Sequence, residues 1–259
     1  MGRKKIDKTG EEGYNSFGSK MVIVGYRGAL DIDVYFPEYD WSLEHVQYNN
    51  FKRGSIKCPY EPRYFSKGFL GEGKYEASEN GKHTDKFNIW YNILIRCYDS
   101  KFQEKEPTYK GCTVEDYWLN FQNAAEWIEK NYYEVPGEIM CLDKDILYKG
   151  NKVYSRNTCI FVPQRINLLF TKCDKTRGNS PIGATQTPSG NYQVKCSDEY
   201  GKYIYLGTYS TEEEAFQAYK EYKENVIKEV IDSYEGKIPE PHYTRLKTAM
   251  YNYKVEIDD

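Results

Sequence analysis

The stretch CLDKDILYKGNKVYSRNTCIFVPQRIN, residues 141–167, decides how this part of the chain folds. The apolar segments MCLDKDI and CIFV predict two strands, and YKGNKVYS between them contains a turn. The segment PQRINLLFTK predicts a helix with Pro163 in its first turn. The stretch therefore predicts a ββα arrangement with acidic and amide side chains facing inward.

Two polar side chains of this arrangement predict a metal site. Asp143 lies at the end of the first predicted strand and Asn167 lies on the predicted helix. Oxygen ligands favour a hard cation, so the expected ion is Mg²⁺ or Mn²⁺. Such an ion would polarise a phosphodiester and stabilise the leaving oxygen. If the protein is not catalytic, we expect no cofactor.

The stretch resembles the HNH nuclease motif of phage and mobile-element endonucleases. The segments WYNILIRCYD, YKGCTVEDYW and LDKD…GNKVYSRNTCIFV…N carry this resemblance, in that order, over residues 90–167. The resemblance implies that Asn157 ties the loop to the catalytic strand. It also implies that Asn167 is a metal ligand in a phosphodiester-cleaving site.

The general base of that family has no counterpart here. The family places a histidine after the first acidic residue, and the matching position holds Lys144. Lysine is protonated at neutral pH and cannot accept a proton from water unless it is strongly desolvated. Asp145 lies two residues beyond Asp143 on the same face of a strand and is the candidate substitute. The expected catalytic residues are Asp143, Asp145, Asn157 and Asn167.

A second resemblance covers residues 181–231. The segments PIGATQTPSGNYQVK and YLGTYSTEEEAFQAYKE resemble the Apetala-type DNA-binding domain of plant ethylene-response factors, which also occurs in phage HNH endonucleases. The resemblance implies a three-stranded sheet that lies in the major groove of DNA, with one packed helix. Because threonines stand where that family has arginine or tryptophan, we expect weaker or altered DNA binding. The expected DNA-contacting residues of both regions are Lys144, Lys149, Lys152, Arg156, Arg165, Lys172, Thr185, Thr187, Lys195, Lys202, Tyr203 and Tyr205.

Charge and cysteine content limit the remaining functions. The formal net charge of the chain is -3, which gives no general nucleic-acid signal. Residues 140–177, however, contain eight Lys or Arg against three Asp. Seven cysteines without a C-x-x-C pair, together with three histidines, disfavour a structural zinc site. With no secretory leader and no long apolar run, we expect a cytoplasmic protein of the host bacterial cell that does not bind membranes.

The patterns together predict a multi-domain α+β protein. It combines a small N-terminal β-barrel, a helical and ββα-metal-like HNH region, and a three-stranded sheet with one packed helix. The predicted boundaries are a tail at 1–15, the barrel at 16–66, a linker at 67–83, the HNH-like region at 84–177, the sheet domain at 178–235 and a tail at 236–259.

Two functions from different classes remain open. In the first, the chain is a phage-type protein of the HNH endonuclease family that binds double-stranded DNA and has weak or lost metal-dependent hydrolysis. In the second, it is an inactive phage protein that binds and modulates a host defence or replication protein. The missing base and the 27 tyrosines fit the second function, since tyrosine is enriched at protein interfaces.

Overall fold

The computed structural model of the chain describes residues 6–171 and 181–257, so the predicted DNA contact Lys172 lies outside the described residues. The chain divides into two compact units, Met1–Lys130 and Asn131–Asp259. Both contain helices and small separate sheets, which confirms the mixed α+β class. This division is coarser than the predicted domain boundaries, which stay a prediction. No helix in the described ranges is long and apolar enough to cross a membrane.

The first unit begins with an open antiparallel sheet. Its strands are β1 (Glu12–Tyr14), β2 (Lys20–Gly28), β3 (Asp31–Phe36) and β4 (Trp41–Val46), in the order β1-β2-β3-β4. Alternation along β2 and β3 places every second side chain in a buried layer. That layer contains Met21, Ile23, Ile32, Val34, Phe36, Phe51, Ile56 and Cys58.

The prediction of a closed barrel is wrong for the described residues. The sheet ends at β1 and β4, and a barrel requires its first and last strands to pair. Residues 54–60, which follow a short helix, α1 (Tyr48–Lys52), form no strand that could close the sheet. The Ile56 carbonyl instead accepts a hydrogen bond from Asn15 Nδ2 at 3.1 Å. The segment therefore fills the core with apolar side chains without extending the ladder.

The rest of the first unit is mainly helical. Its elements are β5 (Ser78–Glu79), β6 (Lys82–His83), α2 (Asp85–Tyr98), α3 (Ser100–Lys105), a 3₁₀ turn (Pro107–Tyr109), β7 (Thr113–Val114), α4 (Asp116–Leu119) and α5 (Phe121–Asn131). The Thr84 hydroxyl caps α2 by accepting a hydrogen bond from the Phe87 N–H. Trp90 on α2 is fully buried and donates from Nε1 to the Trp118 carbonyl at 2.7 Å.

Helices α4 and α5 follow each other directly but are two separate helices. Asn120 interrupts them with an extended backbone, φ -81° and ψ 119°. The Phe69 backbone inserts at this point, because its N–H donates to the Leu119 carbonyl and its carbonyl accepts from the Phe121 N–H. A distant segment thus replaces the hydrogen bonds that a continuous helix would make, which no local pattern could reveal.

The second unit contains the ββα stretch and the C-terminal sheet. Its elements are β8 (Met140–Asp143), β9 (Val153–Tyr154), β10 (Ile160–Pro163), α6 (Gln164–Leu168), β11 (Ala184–Gln186), β12 (Tyr192–Ser197), β13 (Tyr203–Tyr209), α7 (Glu212–Asp232) and α8 (His242–Asn252). The Thr211 hydroxyl accepts a hydrogen bond from the Glu214 N–H and so caps the start of α7.

Helix α7 joins two hydrophobic cores. Its first half packs Ala215 and Tyr219 against the three-stranded sheet. Its second half packs Val226, Ile227 and further apolar residues against the core that contains β10, α6 and α8. Because one helix of 21 residues belongs to both cores, the three-stranded sheet and the ββα arrangement both pack on α7 within the second unit.

Candidate functional site

Strands β8 and β10 pair as an antiparallel hairpin, with Asp143 opposite Ile160. Helix α6 follows β10 directly, with Pro163 at its N-cap, and contacts both strands. Ile160, Val162 and Ile166 anchor the hairpin and the helix in the core. The predicted order of strand, strand and helix is therefore present at the predicted residues.

Asp143 stabilises the turn that leaves β8. Its Oδ1 accepts hydrogen bonds from the backbone N–H groups of Asp145 and Ile146, both at 2.7 Å. Burial raises the pKa of the Asp143 carboxyl to about 6, and the Asp145 charge adds to this rise. The two backbone donors and Lys144 act in the opposite direction. One carboxylate oxygen is thus engaged by the fold itself.

Lys144 occupies the place of the expected general base. Its side chain is buried, with a residue exposure of 7%, and its Nζ donates to Asp145 Oδ2 at 3.0 Å. The same ammonium lies 6.0 Å from the centre of the Tyr154 ring. An ammonium in an ion pair has no lone pair to accept a proton, and it neutralises the carboxylate that was the candidate substitute base.

Another asparagine braces the loop where Asn157 was expected to do so. Asn151 Nδ2 donates to the Lys144 carbonyl at 2.7 Å and to the Val153 carbonyl at 2.8 Å. Asn157 is exposed, and its carbonyl accepts from Arg245 Nη2 at 3.2 Å. The sequence signal for Asn151 is its place in the Gly-Asn turn, where an amide side chain commonly bonds nearby backbone.

The second predicted ligand, Asn167, lies half-buried on α6. Its carbonyl accepts a hydrogen bond from the Phe170 N–H at 3.2 Å at the end of this short helix. The structure brings the elements that carry Asn167 and Asp143 into contact, since α6 packs against β8.

The donor set around Asp143 does not fit a divalent cation. One oxygen of Asp143 is held by two N–H groups, and Asp145 is paired with Lys144. In the described ranges, the group of three acidic or histidine side chains close enough to share an ion is Asp31, Asp33 and His45.

That group lies in the first unit, and the side chain of Arg27 already contacts its two carboxylates. The Arg27 guanidinium donates to Asp31 and to Asp33, in each case at 2.7 Å. These bonds, with a smaller contribution from His45, lower the pKa of Asp31 to about 2. Arg27 therefore pairs with both carboxylates and offsets one of their two negative charges, and the group fits an ion-pair network within the chain.

The predicted cations around the hairpin occupy different environments. Lys149 Nζ pairs with Glu256 at 2.9 Å and donates to the Lys254 carbonyl at 2.8 Å. Arg165 is half-buried beside Tyr234. Lys152 and Arg156 are exposed. These cations therefore differ in their burial.

The three-stranded sheet of the second unit has one face that packs on α7 and one face that points away from it. Strands β11, β12 and β13 are antiparallel in that order, and Ala184, Val194 and Cys196 point toward α7. The opposite surface, here called the outer sheet face, consists of Thr185, Gln193, Lys195, Ser197, Tyr203, Tyr205 and Thr208. No Asp or Glu lies on these strands, whose residues are all described.

Two tyrosines dominate the outer sheet face. Tyr203 is 75% exposed and Tyr205 is 55% exposed. Lys195 is paired with Tyr205 across the strands, next to a bulge in β13. The Tyr205 hydroxyl lies 2.7 Å from Thr208 Oγ1. The face thus combines aromatic surface, a cation and hydrogen-bonding groups.

Two predicted contacts lie in turns rather than on this face. Thr187 Oγ1 donates to the Asn191 carbonyl at 3.0 Å, which closes the β11–β12 turn. Lys202 is exposed in the β12–β13 turn, where its backbone N–H donates to Asp198 Oδ1 at 2.8 Å. Gln193 and Thr208 belong to the face and were missed, although the alternation of apolar and polar residues along the strands could have identified them.

The chain matches no protein-family model, and no curated protein or solved structure shows significant similarity to it.

Proposed function

We propose that the chain binds double-stranded DNA through the outer sheet face, and that phosphodiester hydrolysis at the ββα hairpin is weak or lost. The observation that carries this proposal is the exposure of Tyr203 and Tyr205 beside Lys195 on a face without carboxylates. A β-ribbon fits the major groove, where tyrosine and threonine hydroxyls reach base edges and lysine reaches phosphates.

The environment of Lys144 supports the second half of the proposal. A buried ammonium that is paired with Asp145 supplies no base, and the Asp143 carboxylate is engaged in a turn. The hairpin keeps the ββα framework, so it would act here as a rigid support for the sheet through α7. Mg²⁺ or Mn²⁺ is expected only if residual cleavage exists.

Fluorescence anisotropy with a labelled random duplex tests DNA binding. The wild type is compared with Tyr203→Ala and with Tyr14→Ala, a tyrosine that is 65% exposed on β1 of the first unit. We expect wild-type and Tyr14→Ala binding to be equal, and Tyr203→Ala binding to be at least fivefold weaker. Equal binding by all three proteins would contradict a role of the outer sheet face.

Supercoiled plasmid incubated with Mg²⁺ or Mn²⁺ tests the hydrolysis. We expect the wild type to nick no faster than Asp143→Asn. A rate that the wild type shows and the variant lacks would establish an active nuclease centre at the hairpin.

The runner-up function is that of an inactive protein that binds a host defence or replication protein. The same exposed tyrosines favour it, because aromatic residues are enriched at protein interfaces. Failure of the folded wild type to bind any duplex in the anisotropy titration would favour this function over DNA binding.

A further inference from the structure

A cleft of about 600 Å³ lies between α8 and the segment that follows the Asp143 turn. Ile146 and Lys149 belong to that segment, Thr248 and Asn252 belong to α8, and Lys254 follows α8. This cleft, here called the α8 cleft, lies wholly in the second unit and on none of the strands of the outer sheet face.

Hydrogen bonds between its walls hold the α8 cleft in shape. Arg245 on α8 donates to the Asn157 carbonyl of the hairpin loop at 3.2 Å. Lys149 donates to the Lys254 carbonyl at 2.8 Å. Leu246 and Met250, on the other side of α8, are buried in the core shared with β10 and α6. The cleft is therefore part of the fold and does not depend on a ligand to form.

The charge of the α8 cleft is positive. Its lining contains the cations of Lys149, Arg245 and Lys254 and the single carboxylate of Glu256. Beyond the lining, Glu224 contacts Lys254, but Lys220 contacts Glu224 in turn at 3.7 Å, so this pair adds no net charge. The α8 cleft therefore has an excess of two positive charges, although the formal net charge of the whole chain is -3.

One wall of the α8 cleft offers polar groups at regular spacing. Thr244, Thr248 and Asn252 lie four residues apart, are exposed, and therefore share one face of the helix. The Thr248 hydroxyl donates to the Thr244 carbonyl at 2.8 Å, so the Thr244 hydroxyl and the Asn252 amide are the donors that this face offers to a ligand. Hydroxyl and amide groups next to lysine and arginine are the groups that contact phosphate and sugar in protein–DNA complexes. An acidic peptide would satisfy the cations but would make less use of this row of hydroxyls.

We propose that the α8 cleft binds the phosphodiester backbone of the DNA whose bases contact the outer sheet face. This inference rests on the proposed function and adds a second contact surface to it. The backbone contact carries no sequence information; it fixes the orientation of the duplex on the rigid unit that α7 builds. Its expected signature is a dependence of affinity on salt rather than on sequence.

Opposite charges placed at one position test the cleft. Asn252→Lys and Asn252→Asp are compared with Asn92→Lys and Asn92→Asp, which change an exposed amide on α2 outside the cleft. Binding of a labelled duplex is measured from 50 to 200 mM salt. We expect Asn252→Lys to steepen the slope of log K against log salt by roughly 0.9, the value for one added phosphate contact, and to bind about threefold tighter at the low-salt end. Asn252→Asp should bind several-fold weaker.

The outcomes separate this inference from the proposed function. Opposite shifts at position 252 that are absent at position 92 support the cleft. If the wild type binds DNA and both pairs of variants behave alike, the cleft proposal is overturned while DNA binding by the sheet stands. If the folded wild type binds no duplex, the proposed function fails, and this inference fails with it.

Discussion

The ββα hairpin and the outer sheet face belong to one compact unit and share α7, but they use their polar side chains differently. In the hairpin, Asp143, Lys144 and Asn151 bond to the hairpin's own backbone or to each other. On the sheet, Tyr203 and Lys195 project into solvent. The polar residues of the hairpin thus serve the fold, while Tyr203 and Lys195 on the sheet are exposed.

The largest effect on stability is expected for α7, the helix that the two regions share. Ile227→Ala removes a fully buried side chain from the half of α7 that packs on the hairpin core. We expect a loss of about 2–5 kcal/mol in the free energy of unfolding, because the deletion leaves a cavity. Urea denaturation followed by circular dichroism measures this loss, with Asn225→Ala on the exposed side of α7 as the control.

If α7 couples the two regions, the outer sheet face should lose its structure in the same transition. Tyrosine fluorescence and circular dichroism should then report one midpoint for the second unit. Two transitions, with the sheet unaffected by Ile227→Ala, would show that the regions fold independently.

The paired replacement of Tyr203 and Tyr205 by alanine should give the largest effect on DNA binding. Removing two exposed rings from the outer sheet face is expected to weaken binding by roughly 1–3 kcal/mol, the range for a good base contact. The free energy of unfolding should change little, because both side chains are exposed. Titration of each variant with duplex, alongside a urea melt, checks both expectations.

Asp143 makes a prediction about pH. Its folded pKa of about 6 lies above the ordinary value of 3.8, so the protonated carboxyl is favoured in the folded state. The stability that protonation adds is present below pH 4 and is lost as the pH rises through about 6. Asp143→Asn keeps an acceptor oxygen and removes the titration.

The measurement for Asp143 is a double difference. The free energy of unfolding of the wild type and of Asp143→Asn is measured at pH 4 and at pH 7. The stability of the variant relative to the wild type should be higher at pH 7 than at pH 4 by on the order of 2 kcal/mol. Other titrating groups are common to both proteins and cancel. A difference that is the same at both pH values would show that Asp143 titrates normally in the fold.

The smallest expected effect separates two asparagines of the hairpin loop. Asn151→Ala removes two hydrogen bonds to backbone carbonyls and should cost about 1–2 kcal/mol in unfolding free energy. Asn157 is exposed, and its hydrogen bond to Arg245 is made by the backbone carbonyl, which the replacement by alanine keeps. Asn157→Ala should therefore cost less than about 0.5 kcal/mol in unfolding free energy. Thermal melts of the two variants decide which residue braces the loop.

Local patterns in the sequence predicted elements whose contacts are also local. The two strands and the helix of the ββα stretch depend on apolar segments, a turn and a proline in the first helical turn, which are properties of neighbouring residues. The bond from Asn15 to the Ile56 carbonyl and the break at Asn120, where the Phe69 backbone inserts, join residues that are distant in the chain. Such contacts leave no periodic signal.

The residues of the candidate site also divide into those that the sequence predicted and those that it did not. Tyr203 and Tyr205 were expected as DNA contacts from the resemblance to the Apetala-type domain, and both are exposed on β13. The role of Asn151 and the burial of Lys144 could not be predicted, since both depend on how the loop between β8 and β10 closes on itself. A motif identifies the residues of a site, but the contacts of those residues decide its chemistry.

The most direct test of the central claim compares the two regions in one titration. Labelled duplex is titrated in EDTA with wild type, Asp143→Asn, and the variant in which Tyr203 and Tyr205 are both alanine. The account predicts that Asp143→Asn binds like the wild type and that the double tyrosine variant loses at least fivefold in affinity. Loss of binding in Asp143→Asn with retention in the tyrosine variant would contradict it.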